Sequence, residues 1–120
     1  MIDLCGEKVS REFFERVMEE PQLRLATSIL CVAEFMAGAA AAEEKFLKNW
    51  IKSGELEVCY IETLEEGTAA GNLRKRNGIP LPDALILASA LRIRAHLLTH
   101  DEEFLKKAEM FLPVTDPFKG

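Results

Sequence analysis

The apolar positions of this chain change period several times, and each change marks an element. Residues 10–20 place Phe13, Phe14 and Val17 on one side of a short amphipathic helix, which Ser10 caps and Pro21 stops. Residues 23–27 alternate apolar and polar, as in a strand. Thr27-Ser28 then offers an N-cap for a helix over 29–42. Ile29, Leu30, Val32, Ala33, Phe35 and Met36 make this helix apolar nearly all round, the pattern of a buried helix. A second helix over 43–52 carries Phe46, Leu47, Trp50 and Ile51 on its apolar stripe, and Ser53-Gly54 ends it. Residues 56–61 are β-branched and aromatic enough for a strand. Thr63 with Glu66 three residues on forms a capping box for a helix over 63–77, which Gly78 closes. Residues 83–95 are again strongly apolar and helical, opened by Pro80, Pro82 and an acid. A short strand over 96–99, an amphipathic helix over 101–109 and a last strand over 111–114 complete the pattern, and the tail frays at Pro117.

Strands alternating with helices predict an α/β domain: a short parallel sheet with helices on both faces. The 120 residues fit one domain, 1–120, with no linker, repeat or low-complexity stretch. Three or four short strands are few for such a sheet, and none is long enough to be its centre.

Composition narrows the class. Apolar residues make up 48% of the chain and charged residues 29%, which supports one sizeable core under an ordinary solvated surface. No apolar run approaches the roughly 18 residues of a membrane helix, and no leader is evident. Cys5, Cys31 and Cys59 are odd in number and far apart, against a disulfide framework or a zinc site. The expected address is the cytoplasm, with no membrane partner. The net charge of −5 argues against nucleic-acid binding by overall basicity, so any such contact must use a local patch.

The acids carry the candidate chemistry. In open parallel sheets, sites gather at the carboxyl ends of strands. Asp101 follows a strand by two residues, and Asp83 opens a buried helix whose dipole favours a carboxylate. Glu34 sits within an apolar helix, where an unpaired carboxylate is costly. Each has a plainer reading: Asp83 and Asp101 as helix caps, Glu34 paired with a buried arginine such as Arg92 or Arg94. As a set in one cleft, three carboxylates repel one another and favour a bound cation, and hard oxygen donors select Mg2+ or Mn2+. His96 and His100 lack a nucleophile at a recognisable spacing, and no glycine-rich phosphate loop is present. Arg74-Lys75-Arg76 either complements the end of its helix or meets phosphate near the cleft. Lys106-Lys107 reads as a solvated face.

These residues resemble a known family. Thr27-Ser28-Ile29-Leu30-Cys31-Val32-Ala33-Glu34-Phe35-Met36-Ala37-Gly38 is similar to the second motif of PIN domains. Gly78-Ile79-Pro80-Leu81-Pro82-Asp83-Ala84-Leu85-Ile86-Leu87-Ala88-Ser89-Ala90 is similar to the third, and Leu97-Leu98-Thr99-His100-Asp101-Glu102-Glu103-Phe104 to the fourth. The resemblance, to VapC-type toxins of toxin–antitoxin pairs, implies a three-layer α/β/α fold and a ribonuclease that uses Mg2+ or Mn2+. It implies Glu34, Asp83 and Asp101 as metal-site acids with Glu103 as a further candidate, RNA as substrate, a cognate antitoxin, and a homodimer. Met1-Ile2-Asp3-Leu4 matches only the end of the family's first motif. Asp3 then aligns with a second, non-catalytic acid, and the first central strand with its metal-binding Asp is expected upstream of Met1. An N-terminally truncated, inactive remnant that binds an antitoxin or dimerises is the alternative expectation. A metal-dependent phosphatase acting on small phosphoesters is a third.

Overall fold

Local capping and apolar patterning place most of the elements. The computed structural model describes residues 25–116. The helix expected at 10–20, the first two residues of the strand expected at 23–27, the Met1–Leu4 motif and the tail from Pro117 lie outside the described residues.

Strand β1, Leu25–Ser28, runs directly into helix α1, Ile29–Gly38. All four strand residues are buried, so β1 is covered on both faces as parallel strands usually are, rather than half-exposed as its alternation implied. The Ser28 hydroxyl accepts from Leu30 N–H at 3.1 Å and caps α1. Helix α2, Ala41–Lys52, follows, and strand β2, Leu56–Cys59, pairs parallel with β1 from Leu25↔Leu56 to Ser28↔Cys59.

The break between α1 and α2 falls at Ala39-Ala40, earlier than the 29–42 and 43–52 spans predict. Both alanines are extended. Glu43 Oε1 reaches back to accept the Ala40 N–H at 3.3 Å, which sets the start of α2 two residues ahead of Glu43.

Helix α3, Leu64–Asn77, has the expected capping box. Thr63 Oγ1 accepts from Glu66 N–H at 3.3 Å and donates to Glu66 Oε1 at 3.2 Å, and the same Oε1 accepts the Glu62 N–H at 3.3 Å. Gly78 closes α3 in the left-handed region, at φ 65°. Helix α4, Leu81–Arg92, is the centre of the core. Its Ala84 and the run from Ile86 to Ala90 are buried, and it packs along α3 over most of its length. Burying Ile86 and Leu87 contributes roughly 1.5–3 kcal/mol each. Ala70, Ala84, Ala88 and Ala90 are buried with them. Strand β3, Leu97–Leu98, helix α5, Glu102–Ala108, and strand β4, Val114–Thr115, complete the described chain, with β3 and β4 parallel.

This is the expected α/β fold of helices and short parallel strands. Among the described residues the strands form two separate parallel pairs, β1–β2 and β3–β4, and no described strand joins them. Cys31 and Cys59 are buried, as their apolar surroundings predicted. Burial pushes the Cys59 thiol up, against the opposing charge of Arg92. Among the described residues no helix is long and apolar enough to cross a membrane.

Candidate functional site

Two chain segments bring carboxylates together. In the first, α3 ends at the left-handed Gly78, and Ile79-Pro80 leads into α4 with Asp83 in its first turn. In the second, β3 runs out through Thr99 and His100 to Asp101, the N-cap of α5. Thr99 is buried, and its Oγ1 accepts the Asp101 N–H at 3.2 Å, which fixes the turn. Asp101 Oδ1 accepts from Glu103 N–H at 3.0 Å and Phe104 N–H at 3.1 Å. The plain reading of Asp101 as a cap is therefore correct, and the cap also orients its carboxylate.

Asp83, Asp101 and Glu103 line one small cleft with Ile79, Pro80, Phe104 and Lys107. Ile79 and Phe104 are buried and form an apolar floor. The space is about 20 Å³, enough for one occupant the size of a water or a small ion. Asp83 and Asp101 both stand at helix N-termini, where the backbone dipoles stabilise negative charge.

Glu34 is placed differently from the expectation of a buried acid in the same cleft. It is exposed on α1 and is not among the cleft's lining residues. The reason lies in how α1 packs. Its sequence is apolar all round, yet Cys31 is its one fully buried residue, and the rest are half-buried or exposed. An exposed carboxylate needs no buried counter-charge, and among the described residues Glu34 pairs with no arginine. Arg92 instead pairs with Glu66, its Nε lying 3.3 Å from Glu66 Oε1.

The donor chemistry of the cleft fits a hard divalent cation, because its polar walls are carboxylates. Spacing does not complete the fit: among the described residues no three His, Cys, Asp or Glu side chains stand close enough to hold a metal ion.

The basic cluster Arg74, Lys75 and Arg76 is exposed in the last turn of α3. After Asn77, Gly78 turns the chain into the cleft-lining Ile79, so the cluster lies near the site along the chain. Two features departed from the sequence reading. His100 is half-buried rather than simply exposed, and its Nδ1 lies 3.2 Å from both oxygens of the buried Asp116, clamping the exits of β3 and β4 together. Lys107 is half-buried in the cleft rather than on a solvated face, and donates to the Gly78 carbonyl at 3.2 Å. The i, i+4 spacing from Glu103 to Lys107 was the available signal, since it puts both on one face of α5.

Short parallel strands, with two acids at helix N-termini beyond Gly78 and β3, define an α/β domain with an acidic cleft at a strand's carboxyl end. The PIN domain family model matches residues 1–110, and the chain belongs to that family. Its fold is similar to that of a chain in a toxin–antitoxin complex from Klebsiella pneumoniae. That likeness has a TM-score of 0.67 at 24% identity and covers 90% of this chain and 86% of that one. It is also similar to FitAcB from Neisseria gonorrhoeae, with a TM-score of 0.60 at 16% identity over 93% of this chain and 89% of that one. No curated protein matches the chain.

Proposed function

We propose that this chain is a VapC-like toxin ribonuclease of the PIN family, acting in the cytoplasm and restrained by a cognate antitoxin. The observation that supports it most is the sharing of one cleft by Asp83, Asp101 and Glu103. Family membership and the likeness to chains of toxin–antitoxin complexes favour the same reading. Asp83 and Asp101 would hold Mg2+ or Mn2+ with Glu103, and Glu34 enters the set by its motif alone. A bound ion of this kind polarises a phosphate oxygen and lowers the pKa of water. The chain's own part is to fix carboxylates at helix ends, floor the cleft with Ile79 and Phe104, and offer Arg74, Lys75 and Arg76 to RNA phosphates. A homodimer and a single domain over 1–120 complete the reading.

The test is cleavage of RNA by the full chain in Mg2+ or Mn2+. Asp83→Asn should lower the rate by at least roughly 100-fold, about 2.7 kcal/mol of barrier. Full activity in that variant would show that the site is misassigned.

A second reading is a non-enzymatic relative that binds an antitoxin or dimerises. It is favoured by the spacing of the acids, which among the described residues brings no three to metal-binding distance. Calorimetry with Mn2+ separates the two. Heat of binding supports the nuclease. No heat and no cleavage, with a stable complex with the product of a neighbouring gene, supports the second reading.

A further inference from the structure

The wall of the cleft carries a cation. Lys107 is the only basic residue among its described lining residues, on the same face of α5 as Glu103. An ammonium placed to neutralise the three acids would pair with one of them. Among the described residues Lys107 does not: its partner is the neutral Gly78 carbonyl, at 3.2 Å. An ammonium carries three N–H donors, and this contact uses one. The positive charge is therefore held at the acid cleft by a backbone carbonyl and is not cancelled by a carboxylate.

That placement has a consequence for any polyanion approaching the cleft. Three carboxylates repel a phosphate chain, while a fixed cation among them attracts one. The carbonyl that holds Lys107 also belongs to the residue that closes α3, the helix whose last turn carries Arg74, Lys75 and Arg76. We propose that Lys107 anchors a backbone phosphate of single-stranded RNA at the cleft, as a binding residue distinct from the acids. The inference rests on the ribonuclease reading above.

The experiment is fluorescence anisotropy of a labelled single-stranded RNA oligonucleotide with the full chain. Ca2+ replaces Mg2+ so that binding is read without turnover, and salt is varied between about 50 and 200 mM. Lys107→Gln keeps an N–H donor for Gly78 and removes the charge. It should weaken binding about 5-fold at the lower salt and reduce the slope of log affinity against log salt by about 0.7, one phosphate contact on a single strand. Lys107→Arg should keep the parental slope, and Lys106→Met, on the exposed side of α5, should change neither quantity. Parental affinity and slope in Lys107→Gln would overturn the inference while leaving the ribonuclease reading intact. So would a lowered melting temperature in both Lys107 variants at parental slope, since Lys107 would then only brace the Gly78 turn. A parent chain that binds no RNA would overturn both.

Discussion

Arg92 Nε lies 3.3 Å from Glu66 Oε1, and this ion pair ties the end of α4 to the first turn of α3 across the edge of the core. Glu66 is 4% exposed, and among the described residues its other carboxylate oxygen, Oε2, has no hydrogen-bond partner. Burial pushes its carboxyl pKa up. The Glu62 N–H, the Thr63 hydroxyl and the charge of Arg92 outweigh that, and the net value falls below the ordinary 4.5. A depressed folded-state pKa contributes stability that is full above the unfolded value and is lost as pH falls through the folded one. Thermal melts should therefore show an acid limb beginning below about pH 4.5, and Glu66→Gln should flatten it. Arg92→Met leaves the buried carboxylate without its cation. It should cost about 1–2 kcal/mol, less than a fully buried pair, because the Arg92 side chain is 38% exposed.

Gly78 holds the left-handed turn from which the first half of the cleft is built. At φ 65°, any side chain is strained, although a Cβ there would meet no atom within 4 Å. Gly78→Ala should thus cost about 1–2 kcal/mol from backbone conformation alone. Gly78→Asn should recover part of it, because asparagine tolerates the left-handed region. Denaturant melts of the two variants check the ranking. Equal stability of parent and Gly78→Ala would mean that the turn relaxes.

Signals local in the chain were legible beforehand, and those set by distant neighbours were not. Thr63, Glu66 and Gly78 mark both ends of α3 because caps are contacts within a few residues. Asp101 was readable as a cap for the same reason. The break at Ala39-Ala40 was missed because a run of alanines carries no boundary, and the deciding contact is the reach of Glu43 back to Ala40. The exposure of Glu34 was missed because an all-apolar stretch shows that a helix can be buried, not how much of it has neighbours. Asp83 and Asp101 were legible from residue type and position after a strand or before a helix, and Glu103 only from the family resemblance. Lys107 was not, because its place depends on α5 packing against a turn 29 residues earlier in the chain. The clamp of His100 on Asp116 is likewise a contact across 16 residues that no local pattern encodes.

Metal loading should register as stability. A ligand that binds only the folded state at 100 times its Kd adds about 2.7 kcal/mol. If the acids hold a cation, Mn2+ should raise the melting temperature of the full chain, EDTA should reverse the rise, and Asp83→Asn should abolish it. An Asp83→Asn chain that responds as the parent does would place the ion elsewhere.

Asp101 has two roles that substitution can separate. Its Oδ1 accepts the Glu103 and Phe104 N–H groups, and its carboxylate faces the cleft shared with Asp83. Asp101→Ala removes both and should cost about 1 kcal/mol for the lost cap. Asp101→Asn keeps an oxygen for the two N–H groups, since asparagine caps as well as aspartate, and removes only the charge. The melting temperature of Asp101→Asn should stay close to the parent's while that of Asp101→Ala falls. RNA cleavage should be lost in both, because an amide is a far weaker ligand for a hard cation than a carboxylate. Cleavage retained in Asp101→Asn but lost in Asp101→Ala would reduce Asp101 to its cap and leave Asp83 and Glu103 as the working acids of the cleft.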